Sequence, residues 1–181
     1  LASDSAVINF GADSEIKVTH VADTGLNIKH TATGDDKPIV LTLQTGETDI
    51  QGNDVIGAIN FQAPDEGTGT DAILVAAGIE AVSEGNFAAD NNATKLSFKT
   101  GSSEEAAEKM SLSSAGNLSV SGGVTITGDL TVSGDDITMG TNTSGHIMVA
   151  DGTNFNPVAV SGDVTIAANG AVTIANDAVE T

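Results

Sequence analysis

Polar and apolar residues alternate along much of this chain with the two-residue period of a strand that buries one face. The pattern is densest between Gly116 and Gly140, where G-N-L-S-V-S, G-V-T-I-T, G-D-L-T-V-S and D-D-I-T-M follow one another. Leu118, Val124, Leu130 and Ile137 recur every six or seven residues, as do Val120, Ile126, Val132 and Met139. Ser-Gly, Gly-Asp and Thr-Gly dipeptides between the units supply tight turns. A single-chain β-helix needs three such strands per coil, so four units make little more than one coil. One coil has no neighbour to stack on, and stacked repeats are what stabilise such folds. Three copies in register would instead each supply one wall of a triangular prism, with the apolar residues on a common axis. The segment therefore predicts part of a trimeric shaft.

The same reading divides the whole chain. Residues 1–34 hold two strand phrases, Ile16-Lys17-Val18-Thr19-His20 and Leu26-Asn27-Ile28-Lys29-His30, which predict paired short strands. Residues 35–115 form a β-rich central block: Ile39, Leu41 and Leu43 point one way, as do Gly57, Ile59 and Phe61, then Leu96 and Phe98, then Met110 and Leu112. Ala72 to Val82 is apolar on both faces, the pattern of a strand buried on both sides. Ser102 and Glu105 have capping-box spacing, which predicts either a short helix over Ser102 to Met110 or a wide turn. Residues 116–140 are the shaft, and 141–181 a Gly/Asn-rich connector followed by two more units, Gly162 to Ile166 and Gly170 to Ile174. The residues expected in the trimer core are Leu118, Val120, Val124, Ile126, Leu130, Val132, Ile137, Val164, Ile166, Val172 and Ile174. The chain stops inside what reads as another repeat, so a fragment of a longer polypeptide is expected. The fold class is all-β: an elongated homotrimeric fibre of short strands, triple β-helix or β-prism-like, with a β-rich central block.

Composition sharpens this picture. Leu, Ile, Val and Phe make up about a quarter of the 181 residues, above the roughly 20% that suggests disorder. There are five Phe and neither Trp nor Tyr, so small residues carry the volume, as suits narrow layered β-structure. The formal charge is −19, from 25 acidic and 6 basic residues, and no arginine is present. That argues against nucleic acid, whose phosphates demand Lys and Arg, and against an anionic membrane surface. The charge reads as a repulsive coat that keeps an exposed β-rich rod in solution; divalent-cation binding along the shaft is the alternative. Without cysteine there are no disulfides and no thiolate metal sites. The longest uncharged apolar run, Ala72 to Ile79, falls far short of the roughly 20 residues of a membrane span, and no signal-peptide pattern is visible.

Several phrases resemble bacteriophage tail-fibre and related virion-fibre proteins, notably of marine phages. They are the stretch from Asn53 to Asp65 (N-D-V-I-G-A-I-N-F-Q-A-P-D), Lys109 to Leu118 (K-M-S-L-S-S-A-G-N-L), Ile126 to Gly134 (I-T-G-D-L-T-V-S-G) and Asp151 to Asp163. Together they span roughly residues 35–181, and they match in style of β phrase. The resemblance implies a homotrimer located in the virion, with other virion proteins at its anchoring end. It further implies a part in host attachment, the host-cell receptor being met through another region. A capsid-surface fibre, a bacterial trimeric surface adhesin and part of a polysaccharide depolymerase are the alternatives. No catalytic residue and no cofactor is implied.

Few residues suggest chemistry. His20 and His30 share a strand face with Ile16, Val18, Leu26 and Ile28; near a three-fold axis each would form a ring of three imidazoles able to hold Zn or Ni. The simpler expectation is a strand-end histidine bonded to a backbone group or to water. His146 is expected to be exposed. Asp135-Asp136 and Asp151-x-x-Asn154-x-Asn156 offer oxygen ligands without the spacing of a calcium loop, and turn chemistry accounts for both. No serine lies in a nucleophile-elbow setting, and the lack of Trp and Tyr makes the segment a poor sugar platform.

Overall fold

A computed structural model of the chain describes residues 3–64, 67, 69–134, 137–140, 143–176 and 178. The described residues hold twelve β-strands, one short 3-10 helix and no α-helix. All the sheets are antiparallel and each strand pairs only with its neighbours in sequence. The chain divides into two units, Leu1–Thr125 and Ile126–Thr181.

The first unit opens with a three-stranded sheet of β1 (Val7–Phe10), β2 (Ile16–Val21) and β3 (Gly25–His30). The register Val18↔Ile28 and Ile8↔Val18 puts the alternating apolar residues of all three strands on one face. Lys17, Lys29, Thr19 and Asn27 take the other. The expected pairing of the two strand phrases is thus present, with β1 added on the far side of β2. At the β1–β2 turn Gly11 has φ +87°, and the Glu15 side chain fills the space where a Cβ would stand.

A second sheet follows, a five-stranded meander of β4 (Val55–Gln62), β5 (Val75–Ser83), β6 (Thr94–Thr100), β7 (Ala107–Leu112) and β8 (Leu118–Val120). A 3-10 turn, Asp71–Ile73, precedes β5. The stretch 102–105 is a bend that leads into β7, so of the two expectations for it the turn is the one realised. Capping-box spacing did not produce a helix because Gly101 and Ala106 donate their N–H groups to Ala76 and Val75 carbonyls, and Ala107 to Leu112 then pairs with β6. Ladder bonds and the burial of Ala106 outweigh a helix of barely two turns.

The loop before β4 is tied to the loop after β5. Ser83, 1% exposed, accepts from the Asp54 N–H at 3.0 Å and donates to the Gln51 carbonyl. Asn53 adopts φ +74°, which lets its N–H reach the Ser83 carbonyl at 2.9 Å, and Phe87 donates to Ile50 at the same distance. Ile50, Val82 and Ala106 are the buried hydrophobic residues among those described, which is a very small core. The expectation that Ala72 to Val82 is a strand buried on both sides is corrected here. β5 is an inner strand, yet Ala77, Ile79 and Ala81 are only half-buried, and Leu43 lies at one edge of the face that carries them.

In the second unit β9 (His146–Ala150) pairs with β10 (Phe155–Ala159), and β11 (Val164–Ile166) with β12 (Val172–Ile174). The loop of the first hairpin is an Asx-type turn: Asp151 Oδ1 accepts from the Thr153 and Asn154 N–H groups at 2.8 and 2.7 Å, with Gly152 at φ +95°.

Candidate functional site

The two faces of the five-stranded sheet are unlike each other. The pairs Ile59↔Ile79↔Phe98↔Met110↔Val120 and Ala81↔Leu96↔Leu112↔Leu118 run across all or most of its width on one face. On the other, Glu80↔Ser97↔Ser111↔Ser119 runs between Lys95, Lys99 and Glu108. The polar face is the closed one. Lys99 Nζ sits 2.7 Å from Glu80 Oε1, and Lys95 Nζ 2.7 Å from Glu108 Oε2. Folded over the sheet, the stems of these long side chains leave Ser97 only 2% exposed. The Lys95 ammonium, with help from Ser97 and Ser111, holds the Glu108 carboxyl below the usual carboxylate range. The apolar face lies open instead: Phe61 is 56% exposed and Leu118 65%, with Ile59, Leu96 and Leu112 also exposed. In one respect the chain covers it: Leu43 lies against Gly57, where any Cβ would come within 3.3 Å of it.

The residues expected in the trimer core fall into three groups. Leu118 and Val120 form β8 and border the open face just described. Val164, Ile166, Val172 and Ile174 come together on one face of the β11–β12 hairpin through the register Val164↔Ile174 and Ile166↔Val172. Val124, Ile126, Leu130, Val132 and Ile137 are all exposed and lie on no strand. Here the expectation of four successive strands is corrected, since only Leu118–Val120 is one. The reason is the lack of a partner: residues 122–134 make no hydrogen bond with any described residue, and a strand exists only as half of a ladder. The units at 162–174 do form strands, because β11 and β12 pair with one another. The alternating segment with Ile39, Leu41 and Leu43 likewise forms no strand.

The candidate metal ligands do not converge. His20 and Leu26 are partners at one end of the β2–β3 ladder, and Ile16 and His30 at the other. They share a face as expected, but the length of the strand separates them. His30 Nδ1 accepts from the Ala32 N–H at 3.2 Å, the strand-end arrangement anticipated, whereas His20 Nδ1 lies 3.8 Å from the Asp4 side-chain Oδ1. Among the described residues no group of three or more His, Asp and Glu is placed to hold a metal ion. Asp135 and Asp136 lie outside the described residues. Asp151 is occupied by its turn, and the backbone N–H groups of Asn154 and Thr153 hold its carboxyl below the usual range. His146 departs from expectation: it opens β9 half-buried, with Nδ1 shielded and without a hydrogen-bond partner.

Sequence reasoning treated the alternating residues of β4 to β7 as interior, and so missed that they form a surface. It also passed over the ion pairs, although Lys95-x-x-x-Lys99 interleaved with Leu96 and Phe98 is a sign of a polar face backing an apolar one. No helix among the described residues is long and apolar enough to cross a membrane. Neither protein-family models nor curated proteins give a match to the chain.

Proposed function

We propose that this chain is a structural segment of a homotrimeric bacteriophage tail fibre and acts as a rigid spacer in host attachment. In this reading it resides in the virion, is anchored by other virion proteins, and leaves receptor contact to another region. The fibre-like phrases between Asn53 and Asp163 point to the setting, and the uncovered apolar surface supports the stoichiometry.

One observation carries the argument: Leu118, Val124, Leu130 and Ile137, the successive apolar positions of the repeat, are each 65–69% exposed in the single chain. Three copies would satisfy both needs of residues 122–134. Their apolar side chains would meet one another, and their unpaired backbone groups would gain ladder partners.

Sedimentation equilibrium of the purified chain tests the stoichiometry: three times 18.0 kDa is expected, and a well-ordered monomer at micromolar concentration overturns the proposal. Immunogold labelling of phage particles tests the location, with label expected on the tail fibres.

A further inference from the structure

We propose that the apolar face of the β4–β8 sheet is a contact surface for a second copy of this same chain, continuing the contact beyond the repeat. The inference rests on the trimeric reading above and extends it to the central block, which the repeat pattern leaves out.

Three observations fix the occupant. First, the face has no charge for a foreign partner to complement. Its centre is Ile79, Phe98 and Met110, while Lys95 with Glu108 and Lys99 with Glu80 form ion pairs on the opposite face. In a chain of formal charge −19, a charge-free face is the place where two copies can approach without meeting carboxylates. Second, the face runs into the repeat. Leu118 and Val120, its border strand, are also the first two residues of the proposed shaft core, so whatever covers them also covers their neighbours Leu112 and Met110. Third, the area fits. Five strands about 4.8 Å apart, with a mean length near 22 Å, present roughly 500 Å² in projection. Against another copy that buries on the order of 1,000 Å² in total, the threshold for a specific contact. The face alone would give a weak dimer, and it becomes stable as part of an assembly that also buries the repeat.

The absence of cysteine from the chain makes the test direct. Single variants Leu112→Cys and Ile59→Cys put a thiol on the apolar face, and Ser119→Cys puts one at an exposed position of the polar face as the control. Each full-length purified variant is characterised by sedimentation and then labelled with a maleimide. In the assembled protein, Leu112→Cys and Ile59→Cys are expected to react at least about tenfold more slowly than Ser119→Cys, since only accessible thiolates react. The protection should vanish in the variant Leu130→Asp once it is shown to be monomeric. Fast labelling of Leu112→Cys and Ile59→Cys in a proven trimer overturns this inference and leaves the trimeric fibre standing. Slow labelling in a proven monomer means the chain covers the face itself and also overturns it. A wild-type monomer removes both.

Discussion

Leu130 is the sharpest place to probe the trimeric reading, because in a single chain it touches almost nothing. It is 69% exposed and makes no hydrogen bond. Leu130→Asp should therefore change the stability of an isolated chain by no more than about 0.5 kcal/mol, as for any open surface site. On a three-fold axis the outcome differs. Fully burying a leucine is worth about 1.5–3 kcal/mol, so burying its remaining two-thirds contributes about 1.5 kcal/mol per copy and about 4.5 kcal/mol per trimer. Losing that lowers the association constant by at least about a thousandfold. Three carboxylates brought to one level add their desolvation and mutual repulsion. Leu130→Met, which keeps volume and polarity, should assemble almost normally. The assay is sedimentation over a concentration series, paired with far-ultraviolet circular dichroism. The expected result is a monomer that keeps the β signal of the β4–β8 sheet. A Leu130→Asp trimer with an unchanged dissociation constant would refute the axial placement of the repeat.

Other consequences are local and can be read by denaturation. Lys99→Met should destabilise the five-stranded sheet by about 2 kcal/mol, because Glu80, only 15% exposed, would be left without its cation; Glu80→Gln together with Lys99→Met should recover much of the loss in urea melts. Gly145→Ala should cost about 2 kcal/mol or more: φ is +78°, and the new Cβ would stand 2.6 Å from the Ile166 carbonyl oxygen. A loss of β9–β12 amide protection in hydrogen exchange would report it, and an unchanged exchange pattern would contradict it. The Lys95–Glu108 pair should make the sheet acid-sensitive. Glu108's folded pKa is depressed, so its contribution is complete above the ordinary carboxylate range and fades as pH falls through the lowered value. Melts of Glu108→Gln between pH 7 and 3 should show less pH dependence than the wild type.

The fold was legible wherever its partners are close in sequence. Two-residue alternation placed the β2–β3 pair and the strands around Ile59, Phe98 and Met110, since each finds its ladder with the next strand along the chain. The repeat at 122–134 could be recognised but not placed, because alternation shows that a strand is wanted and says nothing about which strand lies beside it. The false helix signal at Ser102 and Glu105 arose from a local rule that pairing overrode. The openness of the β4–β8 face was hidden for a related reason: an apolar stripe reads the same whether its cover is intramolecular or another molecule. His146 gave no signal at all, its surroundings being Gly, Ser and Thr.

Every ladder among the described residues joins strands adjacent along the chain, and that arrangement sets an order in time. Hairpins close in microseconds without waiting for distant segments, so each copy can form its sheets alone, soon after synthesis and at a rate independent of dilution. The stretch 122–134 has no such option; under the trimeric proposal its ladder awaits a collision. Refolding should then show a fast phase indifferent to concentration and a slow one that accelerates with it, the second zipping up what the first has prepared.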